Sequence, residues 1–233
     1  MIKEAIILAG GLGTRLRSMV ADIPKCLAPV AGRPFLYYVI EHLLKQGIEK
    51  FIFSVGFKYE MIESWLNEEY PLLFAQFAIE HEPLGTGGAI KLACSFATEK
   101  NVLVVNGDTL YKLDVKKLDA FHHICGADCT ISLKPMQDFN RYGVVQLNKD
   151  HSIASFKEKQ QYKEGLINAG VYAMNVNSFL QEDLPQKFSF ENDYLEKFYL
   201  QRKIFGIVQD EYFIDIGIPE DYKKAREELI VKS

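Results

Sequence analysis

No apolar run in the sequence approaches the roughly 18 residues that a membrane-crossing helix needs. The opening stretch, MIKEAIILAGG, holds only five consecutive apolar residues before its glycines, too few for the apolar segment of a secretory leader. A cytoplasmic protein without a membrane anchor is therefore expected. An excess of positive charge is also missing: 27 Lys and Arg stand against 31 Asp and Glu over 233 residues, a net charge of −4. A broad basic face for nucleic acid is not expected. Cysteine is scarce, and Cys26, Cys94, Cys125 and Cys129 show no C-x-x-C spacing. They read as small buried hydrophobes rather than as disulfide or zinc ligands, and the neighbouring His122 and His123 do not complete a zinc pattern. There is no Pro/Ser/Gly-rich linker, charge block or internal repeat. With 48% apolar and 25% charged residues, disorder is excluded.

Strand and helix signals alternate over the first two-thirds of the chain. IKEAIILA (2–9) is a short apolar run ending in Gly10-Gly11. Residues 33–47 place Phe35, Leu36, Val39, Ile40, Leu43 and Leu44 at helical spacing between Pro34 and Gly47, the usual asymmetry of helix ends. FIFSV (51–55), LLFAQFAI (72–79) and NVLVV (101–105) repeat the buried-strand pattern. Helices are predicted between them around Met61, Ile62, Trp65 and Leu66 and over 88–97. Apolar strands alternating with helices predict βαβ units and a parallel sheet covered on both faces. From about residue 126 the pattern changes to four consecutive strands (129–135, 142–148, 151–159 and 166–175), read as antiparallel additions that form a lid over one end. Helical patterns at 190–201 and 219–230 flank the strand-like YFIDIG. The predicted fold is a single α/β domain, a Rossmann-like, mixed, mainly parallel sheet flanked by helices, with an inserted β-rich sub-region.

In such sheets ligands sit at the carboxyl ends of the strands, so the residues just past each strand draw the functional expectation. LAGGLGTRL (8–16) follows the first strand. Gly10, Gly11 and Gly13 admit a ligand close to the backbone and present N–H groups to phosphate. The loop is not a Walker loop, which ends Gly-Lys-Ser/Thr where this one ends Gly-Thr-Arg. Nor is it the dinucleotide fingerprint, whose third glycine is replaced by Leu16. Arg15 suits a polyphosphate because its planar fork grips two oxygens; a solvated arginine on a strand-to-helix turn is the alternative for this piece alone. Lys25, after Pro24, adds a point charge. EHEPLGTGGAIK (80–91) brings Gly85, Gly87 and Gly88 as a second place for backbone contact. It also brings Glu80, or Glu82 if the register differs, as a carboxylate for a base. A carboxylate accepts from the adjacent N1–H and N2–H of guanine, whereas uracil and thymine present a single N–H between carbonyls. Asp108 and Asp215 each follow an apolar strand, and two such carboxylates suit Mg²⁺, which completes its shell with phosphates and water.

Taken together, G-G-x-G-T-R-L followed by P-K, then L-G-T-G-G-A, the strand-end G-D, N-A-G-V-Y at 168–172 and D-I-G-x-P-E at 215–220 resemble the sugar-phosphate nucleotidyltransferases. The resemblance runs from residue 3 to 230. It implies the nucleotide-diphospho-sugar transferase fold, with about 1–125 binding nucleotide, about 126–175 binding sugar and 176–233 completing a metal site. The implied reaction joins a nucleoside triphosphate to a sugar 1-phosphate and releases pyrophosphate, with Mg²⁺. Leu8, Ala9, Gly10, Gly11, Gly13, Thr14 and Arg15, with Glu80, Gly85 and Thr86, would bind the nucleotide. Arg15, Lys25 and Asp108 carry the catalytic roles: Arg15 on the leaving pyrophosphate, Lys25 on the α-phosphate or the attacking phosphate, Asp108 with Asp215 on the metal. Gly143, Glu158, Asn168 and Gly170 match positions that hold sugar hydroxyls, and Lys159 one that holds the sugar phosphate. The implied substrates are GTP and D-glycero-α-D-manno-heptose 1-phosphate, used for bacterial surface polysaccharide. Mannose 1-phosphate with GTP, or muramate- or glucose-type phosphates with UTP, are the alternatives. Ile218 and Gln160 depart from the threonine and proline of many relatives, at positions that carry neither metal nor phosphate. A non-catalytic nucleotide-sensing subunit is the alternative from another class, and the presence of Arg15, Lys25 and both aspartates speaks against it. A homodimer is expected on base rates. With the last helical pattern running almost to Ser233, the C-terminal repeat domain of longer relatives is not expected here.

Overall fold

The computed structural model describes residues 1–11, 16, 19–20 and 22–229. The chain opens with β1 (Glu4–Leu8), a 3-10 turn at Lys25–Leu27, β2 (Pro29–Val30), β3 (Arg33–Pro34) and α1 (Phe35–Lys45). Then come β4 (Lys50–Val55), α2 (Tyr59–Glu69), β5 (Phe74–Ile79), α3 (Gly85–Cys94), β6 (Asn101–Asn106), β7 (Thr109–Tyr111) and α4 (Val115–Ile124). The second half holds β8 (Cys129–Phe139), β9 (Val144–Leu147), β10 (Ile153–Lys157), β11 (Tyr162–Asn175) and α5 (Val176–Leu180). A π-helical turn at Phe190–Leu195, α6 (Glu196–Phe198), β12 (Ile204–Val208), β13 (Phe213–Asp215) and α7 (Pro219–Glu228) complete it.

Nine strands make one mixed sheet in the order β10-β9-β11-β6-β1-β4-β5, with β8 joining β11 and β12 joining β8. The β6-β1-β4-β5 half is wholly parallel. β11 runs antiparallel to β6 and joins the later strands to the same sheet. Alternation along the strands splits the core in two. Ala5 and Ile7 of β1 pack with α1, α2, α4 and α7, while Ile6 packs with α3, α5 and the π-helical turn. Helices on both faces explain why these strands read as unbroken apolar runs.

The four strands expected after residue 126 do add antiparallel to one another and to β6, and β12, which the sequence reading did not include, pairs parallel with β8. The helix expected over 190–201 is a π-helical turn and one short α turn rather than a continuous helix. Glu4, which looks like a charged flank, is fully buried and accepts the backbone N–H groups of Thr98 and Glu99 at 2.9 Å each. Cys26, Cys94 and Cys129 are buried, as expected, and Cys125 is half-buried. Burial pushes the Cys26 and Cys94 thiols up to about 12.

His122 takes an inward position of α4 and is 1% exposed. Its Nδ1 lies 2.9 Å from Thr130 Oγ1, and among the described residues its Nε2 has no partner. Burial pulls its pKa down to about 4, below the ordinary value near 6.5. The unfolded chain therefore binds the proton more readily than the folded one. The stability that goes with a neutral His122 is present above about pH 6.5 and is lost as pH falls toward 4, on the order of 3 kcal/mol. Urea midpoints measured across that window should slope downward toward acid in the parent, with much of the slope absent in His122→Leu. An unchanged slope in the variant would rule His122 out as the source.

Candidate active site at the carboxyl ends of the parallel strands

The ends of β1, β4, β5 and β6 are stitched together by backbone bonds just past each strand: Ala9 N–H to Ser54 O (2.8 Å), Glu80 N–H to Val55 O (2.7 Å) and Gly107 N–H to Leu8 O (2.9 Å). They frame a cleft of about 760 Å³. Of the predicted nucleotide residues, Leu8, Ala9, Gly10, Gly11, Glu80, Gly85 and Thr86 line it, together with Lys25 and Asp108. Gly13, Thr14 and Arg15 lie outside the described residues. A second, more open hollow of about 960 Å³ over β8, β9 and β11 is lined by none of the predicted residues.

Glu80 is half-buried on the cleft wall. Its Oε2 accepts the Leu84 N–H at 3.0 Å and its Oε1 accepts the Ser54 hydroxyl at 3.3 Å. A side chain on Gly10 would come within 2.6 Å of that Oε1, so the glycine after β1 is what lets the carboxylate stand there. Glu82, the fallback, also lines the cleft but is exposed. Sequence reasoning missed Ser54, because a serine inside an apolar strand shows its purpose only once its neighbour across the sheet is known.

At the other end of the cleft, Lys25 Nζ pairs with Asp108 Oδ2 at 2.5 Å. The 3-10 turn that carries Lys25 is closed by Leu27 N–H to Pro24 O, 2.9 Å. Asp215 ends β13 beside them. The backbone joins the two aspartates, since Ile216 N–H donates to Asp108 O at 3.0 Å. Burial, and then the charge of Asp108, hold the Asp215 carboxyl above its ordinary range. The two carboxylates therefore feel each other, with a lysine as counter-charge. Arg141 and Tyr142, which the sequence reading did not single out, both donate to Asp215 Oδ2 at 3.2 Å. Arg141 also pairs with Asp221 in the first turn of α7. Among the described residues no group of three or more His, Cys, Asp or Glu is arranged to hold a metal. Two acidic oxygen donors, Asp108 on the cleft wall and Asp215 next to it in the backbone pairing, suit a hard cation that takes its other ligands from phosphate and water.

None of the predicted sugar residues lines the cleft. Gly170 has φ +71° and abuts the Asn106 side chain, which does line the cleft; a Cβ there would lie 2.3 Å from Asn106 Nδ2. Asn168 shapes the irregularity in β11, accepting the Gly170 N–H at 3.0 Å and donating to the Tyr172 hydroxyl at 2.9 Å. Gly143 lies against β10, where a Cβ would meet Lys157 O at 2.6 Å. Glu158 and Lys159 follow β10 and are exposed.

The second glycine cluster has a different use from the one expected. A Cβ on Gly87 would lie 2.1 Å from the Phe188 ring, one on Gly88 2.3 Å from Gln186 O, and one on Gly85 2.5 Å from Phe188 O. Gly85 keeps a place on the cleft wall. Gly87 and Gly88 are buried beneath the 186–188 segment, and the Gly87 N–H is held by Phe188 O at 3.0 Å. These two make room for protein rather than ligand.

A family model for nucleotidyl transferases matches residues 4–231. The chain is 52% identical over 226 residues to the D-glycero-α-D-manno-heptose 1-phosphate guanylyltransferase of Aneurinibacillus thermoaerophilus, covering 97% of this chain and 98% of that one. The crystal structure of HddC from Yersinia pseudotuberculosis complexed with GMP-PN superposes with a TM-score of 0.87 at 41% identity, covering 97% and 99% of the two chains. The mannose-1-phosphate guanylyltransferase of Mycobacterium tuberculosis is 31% identical over 231 residues, which span 97% of this chain and 64% of that one.

Proposed function

The chain belongs to the nucleotidyl transferase family, and on that premise we propose that it is a guanylyltransferase making GDP-D-glycero-α-D-manno-heptose and pyrophosphate from GTP and the heptose 1-phosphate. Near-full-length identity of 52% to a heptose 1-phosphate guanylyltransferase and likeness to a structure holding GMP-PN support the substrates. The observation that carries the base is Glu80, whose anchored carboxylate faces the cleft where guanine N1–H and N2–H can donate to it.

A sugar phosphate is already an anion, so no general base is required and the protein's work is alignment and charge neutralisation. The glycines after β1 bring backbone N–H groups against the nucleotide phosphates. Lys25 lies where it can move from Asp108 to the α-phosphate or to the incoming phosphate oxygen. Arg15 is assigned the leaving pyrophosphate and Lys159 the sugar phosphate, with Gly143, Glu158, Asn168 and Gly170 for the sugar hydroxyls. Asp108 and Asp215 would hold a divalent cation, Mg²⁺ by donor chemistry, which when bound neutralises charge on the reacting phosphates. Among the described residues no helix is long and apolar enough to cross a membrane. We place the reaction in the cytoplasm, with its phosphorylated substrates, and assign the enzyme a homodimer, which sedimentation would check.

A panel of four NTPs crossed with sugar 1-phosphates, read by pyrophosphate release, tests the assignment. GTP should exceed UTP, dTTP and ATP by about tenfold or more in kcat/KM, and heptose phosphate should exceed mannose phosphate by about tenfold. Glu80→Gln should lower kcat/KM with GTP by about tenfold and leave the UTP value unchanged or higher. Equal use of UTP would refute the base assignment. Mannose phosphate matching the heptose phosphate would make this a mannose enzyme.

A further inference from the structure

We propose that Glu191 is a positioning residue that holds the nucleotide-facing loop at Thr86 in register with the sugar-facing strand β11, an inference that rests on the two-substrate reading above. Thr86 lines the cleft, but its hydroxyl is committed elsewhere. Thr86 Oγ1 donates to Glu191 Oε2 at 2.8 Å and accepts the Phe190 N–H at 2.9 Å. The same Glu191 oxygen accepts the Ser189 hydroxyl at 3.1 Å. Thr86, Phe190 and Glu191 thus close a small hydrogen-bonded ring, and the Thr86 hydroxyl proton is taken up within it.

The ring is seated by the glycine packing described above, since only glycine at 87 and 88 lets the 186–188 segment come down on the start of α3. Its other end reaches the sugar side. The Phe190 ring meets Tyr172 edge-on with centroids 4.9 Å apart, and the Tyr172 hydroxyl accepts from Asn168. Asn168 in turn fixes Gly170, which touches Asn106 on the cleft wall. Tyr172 also senses the carboxylate directly: after burial, the charge of Glu191 is the next cause holding its hydroxyl well above the usual range. One short segment therefore contacts both half-sites from outside the cleft. If it loosens, the loop that frames the nucleotide and the strand that frames the sugar lose their common reference.

Three variants test this: Glu191→Ala, Glu191→Gln and Thr86→Val. KM for each substrate is measured with the NTP and sugar phosphate that the parent uses best, alongside binding of a non-hydrolysable analogue of that NTP. Choosing the pair from the parent keeps this test separate from failure of the GTP or heptose assignment. Glu191→Ala should raise both KM values at least about fivefold and weaken the analogue similarly. Glu191→Gln, whose amide oxygen still accepts the Thr86 hydroxyl, should stay within about twofold. Thr86→Val, a nearly isosteric change at an exposed helix start, should reproduce the alanine phenotype and keeps the test alive if Glu191→Ala folds poorly. The double variant Thr86→Val, Glu191→Ala should be no worse than either single change, the sign of one shared interaction. Both KM values within twofold of the parent, a rise confined to one substrate, or additive effects would each overturn the proposal.

Discussion

Replacing Asp108 or Asp215 by asparagine is expected to lower turnover by at least about a hundredfold, in the range of removing a preorganised electrostatic group. Each change keeps the size of the side chain and removes one negative charge from a pair of oxygen donors. A hard divalent cation prefers anionic oxygen, and no third acidic ligand waits nearby to compensate among the described residues. Asp215 should be the less forgiving of the two. Arg141 and Tyr142 both donate to its Oδ2, and an asparagine that turned its amide toward them would set donor against donor. The check is kcat at saturating Mg²⁺, together with Mn²⁺ binding followed by electron paramagnetic resonance with nucleotide present. Near-normal turnover of both variants, or full activity of the parent in EDTA, would defeat the metal assignment.

Lys25→Met should lower kcat by about a hundredfold as well, for a different reason. The variant keeps the aliphatic stem and loses the cation paired with Asp108, so charge on the reacting phosphates is less compensated, at a cost of about 2.7–4 kcal/mol in the barrier. It should also leave Asp108 without its counter-charge, while Asp215 keeps Arg141 as its own. In the absence of nucleotide, Mg²⁺ should therefore raise the melting temperature of Lys25→Met more than that of the parent. Lys25→Arg should recover only part of the rate, because a planar fork does not replace a compact ammonium. A methionine variant with parental kcat would return Lys25 to an ordinary ion pair.

The parallel half of the fold was legible because its strands are buried on both faces, so β1, β4 and β6 stand out as apolar runs, and α1 is bracketed by Pro34 and Gly47. α4 was not read. One of its inward positions is His122, which breaks the apolar spacing of Val115 and Leu118; Asp114, whose side chain caps Lys117 N–H at 3.0 Å, was the available signal. β12 hid behind Gly206, a residue that weakens a strand signal. It is needed there because a Cβ would come within 2.6 Å of Leu133 Cδ1 and 2.7 Å of Leu147 Cδ2. Glu80 and Asp108 drew notice as residues just past strands, and both line the cleft. What stayed invisible was non-local: the partners of Asp215 lie some seventy residues earlier in the chain, and the purpose of Gly87 and Gly88 depends on Phe188 and Gln186 about a hundred residues later.

The place of β6 in the sheet has a consequence for how the chain is made. β6 lies between β1, already synthesised, and β11, which follows it by more than fifty residues. At roughly 5–20 residues per second, the growing chain presents the free side of Asn101–Asn106 for several seconds before Val171–Asn175 emerges to pair with it. That edge is apolar and Pro-free, the kind that recruits other chains. A fragment stopped near residue 126 would keep it bare permanently, so such a fragment should precipitate rather than survive as a weak nucleotide binder.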